Sequence, residues 1–184
     1  MFYETEKNDH GLPHNPFKAI IAPRPIGWIS SVDKDGKTNL APYSFFNCVC
    51  DTPPIVMFSS SNYKDSAANI DATGEFVCNM ASYDLKDEMN LSSAAVPHEK
   101  SEFELTGLEM AQSNLVSVPR VAKAATALEC KHLQTIRMKG LDGTDTNSWV
   151  IFGQVIGVHI SDDVIVNGMV DAAGLPTPPN SRRD

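Results

Sequence analysis

Between Arg24 and Ile160 the chain reads as a succession of strand-like segments closed by turn-forming residues, with no full-length helices alternating between them. Arg24 to Val32 (RPIGWISSV) ends at Asp33-Lys-Asp-Gly36, whose glycine can take a positive φ, and a second strand begins near Asn39, which is a hairpin signal. Tyr43 to Cys50 (YSFFNCVC) is rich in aromatic and small residues, closes at Asp51-Thr-Pro-Pro54 and leads into the apolar run Ile55 to Phe58. Glu75 to Met80, Leu108 to Val116, Ala125 to Lys139 and Trp149 to Ile160 continue the pattern, the last two separated by the turn Leu141-Asp-Gly-Thr144. Strands that follow one another this closely pair antiparallel, and they close into a barrel or a sandwich rather than a doubly wound α/β sheet.

Short helices are expected between some of these strands. Ser59-Ser-Ser-Asn62 supplies capping residues for Lys64 to Ala72 (KDSAANIDA), which ends at Gly74. Ser82 to Ala95 has acidic residues near its first turns and stops before Pro97, and Ser101 to Leu105 carries capping-box spacing between Ser101 and Glu104 before Gly107. With 184 residues, 42% of them hydrophobic, the chain is long enough for one domain with a real core, assigned to residues 1–170. From Asp171 onward (DAAGLPTPPNSRRD) the apolar periodicity is lost, and residues 171–184 are expected to form a loose tail.

The formal net charge of -8 opposes long-range attraction to nucleic acid or to an anionic bilayer, so neither is an expected partner and any bound anion needs a local site. No apolar run approaches the roughly 20 residues that span a bilayer, and Met1 to His10 is acidic and polar rather than basic then apolar, so the expected location is cytoplasmic. Cys48, Cys50, Cys78 and Cys130 form no C-x-x-C pair and lie near no histidine cluster with ligand spacing, so no metal is expected.

Two stretches could carry chemistry. In Ser59 to Ser66 (SSSNYKDS), amides at a helix start, several hydroxyls and the Lys64 ammonium could together hold a phosphate dianion; the same residues also suit ordinary N-capping. Around Arg24 to Ser30 and Asn39 to Asn47, Ser44 and Asn47 could address the edge of a flat heteroaromatic ring, with aromatic neighbours over its face; Trp28, Phe45 and Phe46 could equally be core. His159, at the end of the last clear strand, suits either a surface position or a place beside such a ring. There is no Gly-x-Ser-x-Gly and no Gly-x-Gly-x-x-Gly, which removes the nucleophile elbow and the Rossmann turn.

Taken in order, Arg24-Pro-Ile-Gly-Trp-Ile-Ser30, Asn39-Leu-Ala-Pro-Tyr-Ser44, Asn47, Pro53-Pro54, Lys64-Asp-Ser66, Glu75-Phe-Val-Cys-Asn79, Glu102-Phe-Glu-x-x-Gly107, Leu128-Glu-Cys130 and Gly153-x-x-x-Gly-x-His159 resemble the flavin reductase-like family over about residues 15–160. The resemblance implies a mainly β fold, a six-stranded antiparallel Greek-key split β-barrel with a few short helices. It further implies a homodimer with flavin, FMN in preference to FAD, near the subunit interface. The phosphate would rest on Ser59, Ser60, Ser61, Lys64, Asp65 and Ser66, with Asp65 acting through its backbone or the turn, while Arg24, Ser44 and Asn47 would lie by the ring. His159 would stand near the flavin and nicotinamide rings as the catalytic candidate.

The activity this implies is an oxidoreductase that reduces bound FMN with NADH or NADPH and passes electrons to an unidentified acceptor. A flavoprotein electron carrier served by a protein partner, and a non-catalytic ligand-binding module on the same barrel, are the alternatives. The family's Arg-Leu-Gly and Tyr-containing continuation is replaced here by Pro176-Thr-Pro-Pro179 and Ser-Arg-Arg-Asp184.

Overall fold

Local chemistry fixes where most elements stop. Gly36 (φ 81°) and Gly143 (φ 82°) turn two hairpins, and Gly74 (φ 76°) and Gly107 (φ 68°) end two helices in the left-handed conformation. The structure is a computed structural model describing residues 1–94 and 100–171. Its elements are α1 (Phe17–Ile20), β1 (Gly27–Val32), β2 (Thr38–Tyr43), β3 (Phe46–Cys50), β4 (Ile55–Ser61), α2 (Asp65–Thr73), β5 (Glu75–Met80), α3 (Lys86–Leu91) and α4 (Glu102–Thr106). There follow β6 (Met110–Ala111), β7 (Arg120–Val121), β8 (Thr126–Lys139), β9 (Asp145–Ile160), β10 (Ile165–Val166) and β11 (Met169–Val170). Among the described residues no helix is long and apolar enough to cross a membrane.

One antiparallel sheet dominates, with the order β2-β1-β5-β8-β9-β4-β3. Its two edge strands, β2 and β3, are consecutive in the chain and joined only by Ser44 and Phe45. A sheet whose opposite edges are separated by two residues must roll until they meet, so it curls into a barrel. The Ser59 amide donates to the Phe45 carbonyl at 2.8 Å across that corner.

The roll creates an interior where Ile29, Tyr43, Val56, Phe58, Phe76, Ile151 and Val155 meet, with Ala67 and Ile70 of α2 packed into the same cluster. Phe58 stacks between Tyr43 (centroids 4.6 Å apart) and Phe76 (5.9 Å). Every residue of β1 is buried, because its outer face is covered as well: Trp28 packs with Leu85, Phe103 and Val121, and its indole N–H donates to Ser92 Oγ at 2.9 Å.

Several expectations need correction. The main sheet has seven strands rather than six, because Tyr43 to Cys50 is not one strand: the corner at Ser44 and Phe45 divides it between opposite edges. Ser59 to Ser61 lie in β4 and not in a helix cap, since hydrogen bonding to β9 pairs Ser59 with Val150 and Ser61 with Ser148. Leu108 to Val116 yields only Met110–Ala111 as strand. The amides of Asn114, Leu115 and Val116 donate instead to the Glu129 carboxylate, which takes them out of any ladder. The helix expected over Ser82 to Ala95 becomes a 3₁₀ turn at Tyr83–Leu85 followed by the six-residue α3. Pro97 and the tail beyond Asp171 lie outside the described residues.

Gly153 marks how tightly the barrel is filled, because a Cβ there would stand 2.3 Å from the Phe76 ring. Gly153→Ala is expected to lower stability by about 1–3 kcal/mol through overpacking, with Phe76→Leu costing less in that background than alone. Urea unfolding of the two single variants and the double variant measures both quantities.

Candidate functional site

The chain reverses between β4 and α2, and the residues there are fixed by bonds the sequence alone does not disclose. Ser60 is fully buried and its hydroxyl donates to the Asn62 carbonyl at 2.9 Å, while the Asn62 amide donates to the Asn147 carbonyl at 2.6 Å, which together hold Asn62 at φ 71°. Tyr63 donates its hydroxyl to Asp71 Oδ2 at 2.5 Å, and that bond is the first cause of a phenol pKa pushed up to about 12. The turn preceding Lys64 is therefore tied to both β9 and α2.

Lys64 occupies the N-cap of α2 with an extended backbone and provides no side-chain cap, so the first-turn amides of this nine-residue helix have no capping side chain. Its ammonium makes no hydrogen bond or ion pair among the described residues. Lys64, Asp65 and Ser66 line a cleft of about 380 Å³ with Asn39, Tyr43 and Glu102. Asn39 Nδ2 donates to the buried Ser66 Oγ at 2.8 Å, leaving the serine's own hydrogen to give elsewhere. The buried Tyr43 hydroxyl faces Ser66 and Ser60 without a hydrogen bond of good geometry to any group, and burial pushes its pKa up. The Glu102 carboxylate accepts the Leu40 amide at 3.0 Å, which ties it to β2.

A second group surrounds the corner. Ser44 and Asn47 are exposed, and Asn47 Oδ1 accepts the Cys48 amide at 2.9 Å. Arg24 is half-buried, and its Nη1 donates to the Lys18 and Ile21 carbonyls at 2.5 and 3.0 Å, with the guanidinium 5.6 Å above the Phe45 ring. Ser59 and Ser61 share the opposite face of β4 from Ser60, as the two-residue strand period requires. Trp28 is core, whereas Phe45 and Phe46 are half-buried.

His159 stands apart. It is nine residues farther along β9 than Val150, the partner of Ser59, on the order of 30 Å of extended chain. It lines a different cavity, which shares no residue with the Lys64 cleft. Its Nε2 lies 2.5 Å from Glu129 Oε1, a diagonal contact between adjacent strands. Glu129 is buried, and desolvation opposes its ionisation. The Asn114 amide, His159 and the Leu115 amide together outweigh that and hold its carboxyl below the ordinary 4.5. Among the described residues no group of three or more His, Cys, Asp or Glu could hold a metal ion.

The structure thus gathers Lys64, Asp65 and Ser66 in one cleft, sets Arg24, Ser44 and Asn47 at the barrel corner, and leaves His159 elsewhere. Reading the sequence missed Tyr43, Asn39 and Glu102 as cleft residues and Glu129 as the partner of His159. Strand periodicity could have placed Tyr43 on the inner face, but the others depend on contacts between distant segments.

Comparison with known proteins gives three consistent results. The sequence model of the flavin reductase like domain matches residues 21–174. An uncharacterised protein of Aquifex aeolicus is 37% identical over 170 residues, covering 90% of this chain and 83% of the relative. Among solved structures, nitrilotriacetate monooxygenase component B of Bacillus cereus superposes with a TM-score of 0.84 at 29% identity, covering 95% of this chain and 89% of that one. A structure with a split barrel domain from Shewanella frigidimarina superposes with a TM-score of 0.80 at 20% identity, over 95% and 88% of the two chains, and supports the fold alone.

Glu129 links this geometry to pH. Its folded pKa is depressed, so its contribution to stability is complete above about pH 4.5 and is lost as pH falls through the lower folded value. The difference in melting temperature between wild type and Glu129→Gln is expected to shrink as pH is lowered from about 5 towards about 3, through the ordinary glutamate value of 4.5. Thermal denaturation followed by circular dichroism across that range measures it.

Proposed function

The chain belongs to the flavin reductase-like family, and from that premise we propose that it binds FMN, with the phosphate in the Lys64 cleft and the ring against the barrel corner, and acts as an NAD(P)H-dependent oxidoreductase. One observation carries the placement: an uncapped helix N-terminus, an ammonium and a buried phenol hydroxyl, the last two without a hydrogen-bond or ion-pair partner among the described residues, converge on one cleft. Each of these is a donor with its acceptor missing, and a phosphate offers the acceptor oxygens that satisfy them.

The chain's own part is to grip and orient. The α2 amides and Lys64 hold the dianion, and Ser66, oriented by Asn39, adds a hydroxyl donor. Asp65 sits in the first turn of α2, where its charge complements the helix dipole, and it shapes the turn rather than facing the phosphate. Ser60 and Tyr63 keep the turn before Lys64 in place, while Ser59 and Ser61 border it from the outer face of β4. Arg24, Ser44 and Asn47 address the ring's polar edge, with Arg24 held against Phe45. When bound, the flavin supplies two-electron chemistry, accepting hydride from a nicotinamide coenzyme and passing electrons onward.

His159 lies beyond reach of this cleft within one protomer, so its catalytic role in this reading requires a homodimer in which the His159 cavity of one subunit approaches the ring bound to the other. We further propose FMN in preference to FAD, a redox partner protein as the alternative electron donor, and a cytoplasmic location. A yellow protein that a nicotinamide coenzyme fails to reduce is instead a flavoprotein electron carrier, and a colourless protein that takes up no flavin is a ligand-binding module.

Purified protein is expected to be yellow and to be bleached anaerobically by NADH or NADPH, read by absorbance in the visible. Lys64→Ala is expected to weaken FMN binding by about tenfold or more, the scale of one charge-assisted hydrogen bond. Riboflavin binding should change by less than about twofold, because it lacks the phosphate. Flavin fluorescence titration of both ligands decides; an equal loss for both would displace the phosphate from this cleft.

A further inference from the structure

Arg120 is a charged side chain in a partly buried position that pairs with no group among the described residues. Its backbone is held on several sides: Ala111 pairs with it across β6 and β7, the Val121 amide donates to Asn79 Oδ1 at 2.7 Å, and the Pro119 carbonyl accepts from the Ser30 hydroxyl at 2.7 Å. The residue is half-buried, its Nε is shielded from solvent without an acceptor, and its guanidinium makes no hydrogen bond or ion pair among the described residues. A guanidinium stays protonated at any ordinary pH and carries five N–H donors, so it cannot relieve this burial by losing its charge. A fixed backbone and an orphaned cation together describe a group waiting for an anion from outside the chain.

The surroundings have room for one. Arg120 lines a cavity of about 400 Å³ together with Lys123, His159 and Ser161, and Ala125 and Ile160 give it apolar wall. Lys123 is exposed and makes no ion pair among the described residues. His159 has Nε2 engaged by Glu129, and its Nδ1 makes no hydrogen bond among the described residues. Asp163 also lines the cavity, but it is exposed, so water screens its charge more than that of the half-buried guanidinium. The volume lies near the lower end of the roughly 300–1,000 Å³ typical of small-molecule sites.

We propose that this cavity is a second binding site, separate from the Lys64 cleft, for a compact organic anion whose carboxylate or phosphate group is taken by Arg120 in a two-oxygen fork, with Lys123 adding charge and the alanine and isoleucine wall receiving the organic body. The guanidinium matches two adjacent acceptor oxygens in a way an ammonium does not. Arg120 and its cavity are described within one protomer and without reference to the phosphate placement, so failure of the Lys64 test leaves this site standing.

Calorimetric titration of the full chain, saturated with FMN so that the Lys64 cleft is filled, with benzoate, phenyl phosphate and the neutral benzyl alcohol tests it. At least one anion is expected to bind with a dissociation constant below about 10 mM, a weak but specific affinity, and benzyl alcohol is expected not to bind. The anion that binds more tightly identifies whether carboxylate or phosphate is the preferred group. Arg120→Met, which keeps an unbranched stem and removes the charge, should weaken that binding at least about tenfold. Without ligand, Arg120→Met should melt no lower than wild type, and only wild type should gain melting temperature when the anion is added. Should Arg120→Met fail to fold, Lys123→Met at the exposed position is expected to weaken the anion severalfold. Absence of anion binding to wild type, equal binding by the variant that folds, or equal binding of benzyl alcohol would each overturn the proposal.

Discussion

Ser44 and Phe45 join strands that sit on opposite edges of a seven-stranded sheet, and that covalent constraint shapes the rest of the molecule. With only two residues to span the gap, the sheet has no flat solution, and its inner face is forced to close on Phe58, Phe76 and Ile151. Phe46, just past the corner, lies against Gly27 so closely that a Cβ there would stand 2.5 Å from its ring. The corner therefore brings β1 against β3 and sets Tyr43 at the mouth of the interior, facing Ser60 and Ser66.

Closure also explains why the polar machinery gathers where it does. The interior is too well filled to admit a ligand, so unsatisfied donors collect at the rim where α2 crosses the barrel and where β7 meets the end of β9. At the first rim, Lys64 and the uncapped start of α2 stand over the buried Tyr43 hydroxyl. At the second, Glu129 acts as a buried hub: its carboxylate anchors the 114–116 loop and His159 together, and that loop in turn leads to Arg120. The barrel thus carries two separate cavities, each holding a cation that no described residue pairs, on a chain whose formal net charge is -8.

Much of the fold was legible in the sequence because the relevant signals are local. β5 spans Glu75 to Met80 as read, β8 and β9 match the two long segments within a few residues, and α4 begins at its Ser101 cap and ends at Gly107. The failures share one cause. The division of Tyr43 to Cys50, the pairing of Ser59 to Ser61 as strand, and the loss of Leu108 to Val116 were each decided by partners far along the chain. Capping propensity favoured serine before a helix, but pairing with β9 kept Ser59 to Ser61 extended in the ladder and left Lys64 at the N-cap.

The sequence by itself determined the antiparallel β character, the hairpin and helix boundaries, the family and the Lys64-Asp-Ser66 segment, because turn geometry, strand periodicity and ordered motifs are properties of neighbouring residues. Only the tertiary structure decided which of the three serines faces inward, that Tyr43 and Asn39 complete the Lys64 cleft, and that His159 is tied to Glu129. It alone showed that Arg120 Nε is buried without a partner among the described residues. Whether a charge is paired depends on segments separated by tens of residues and brought together by sheet register, and no local pattern encodes that register.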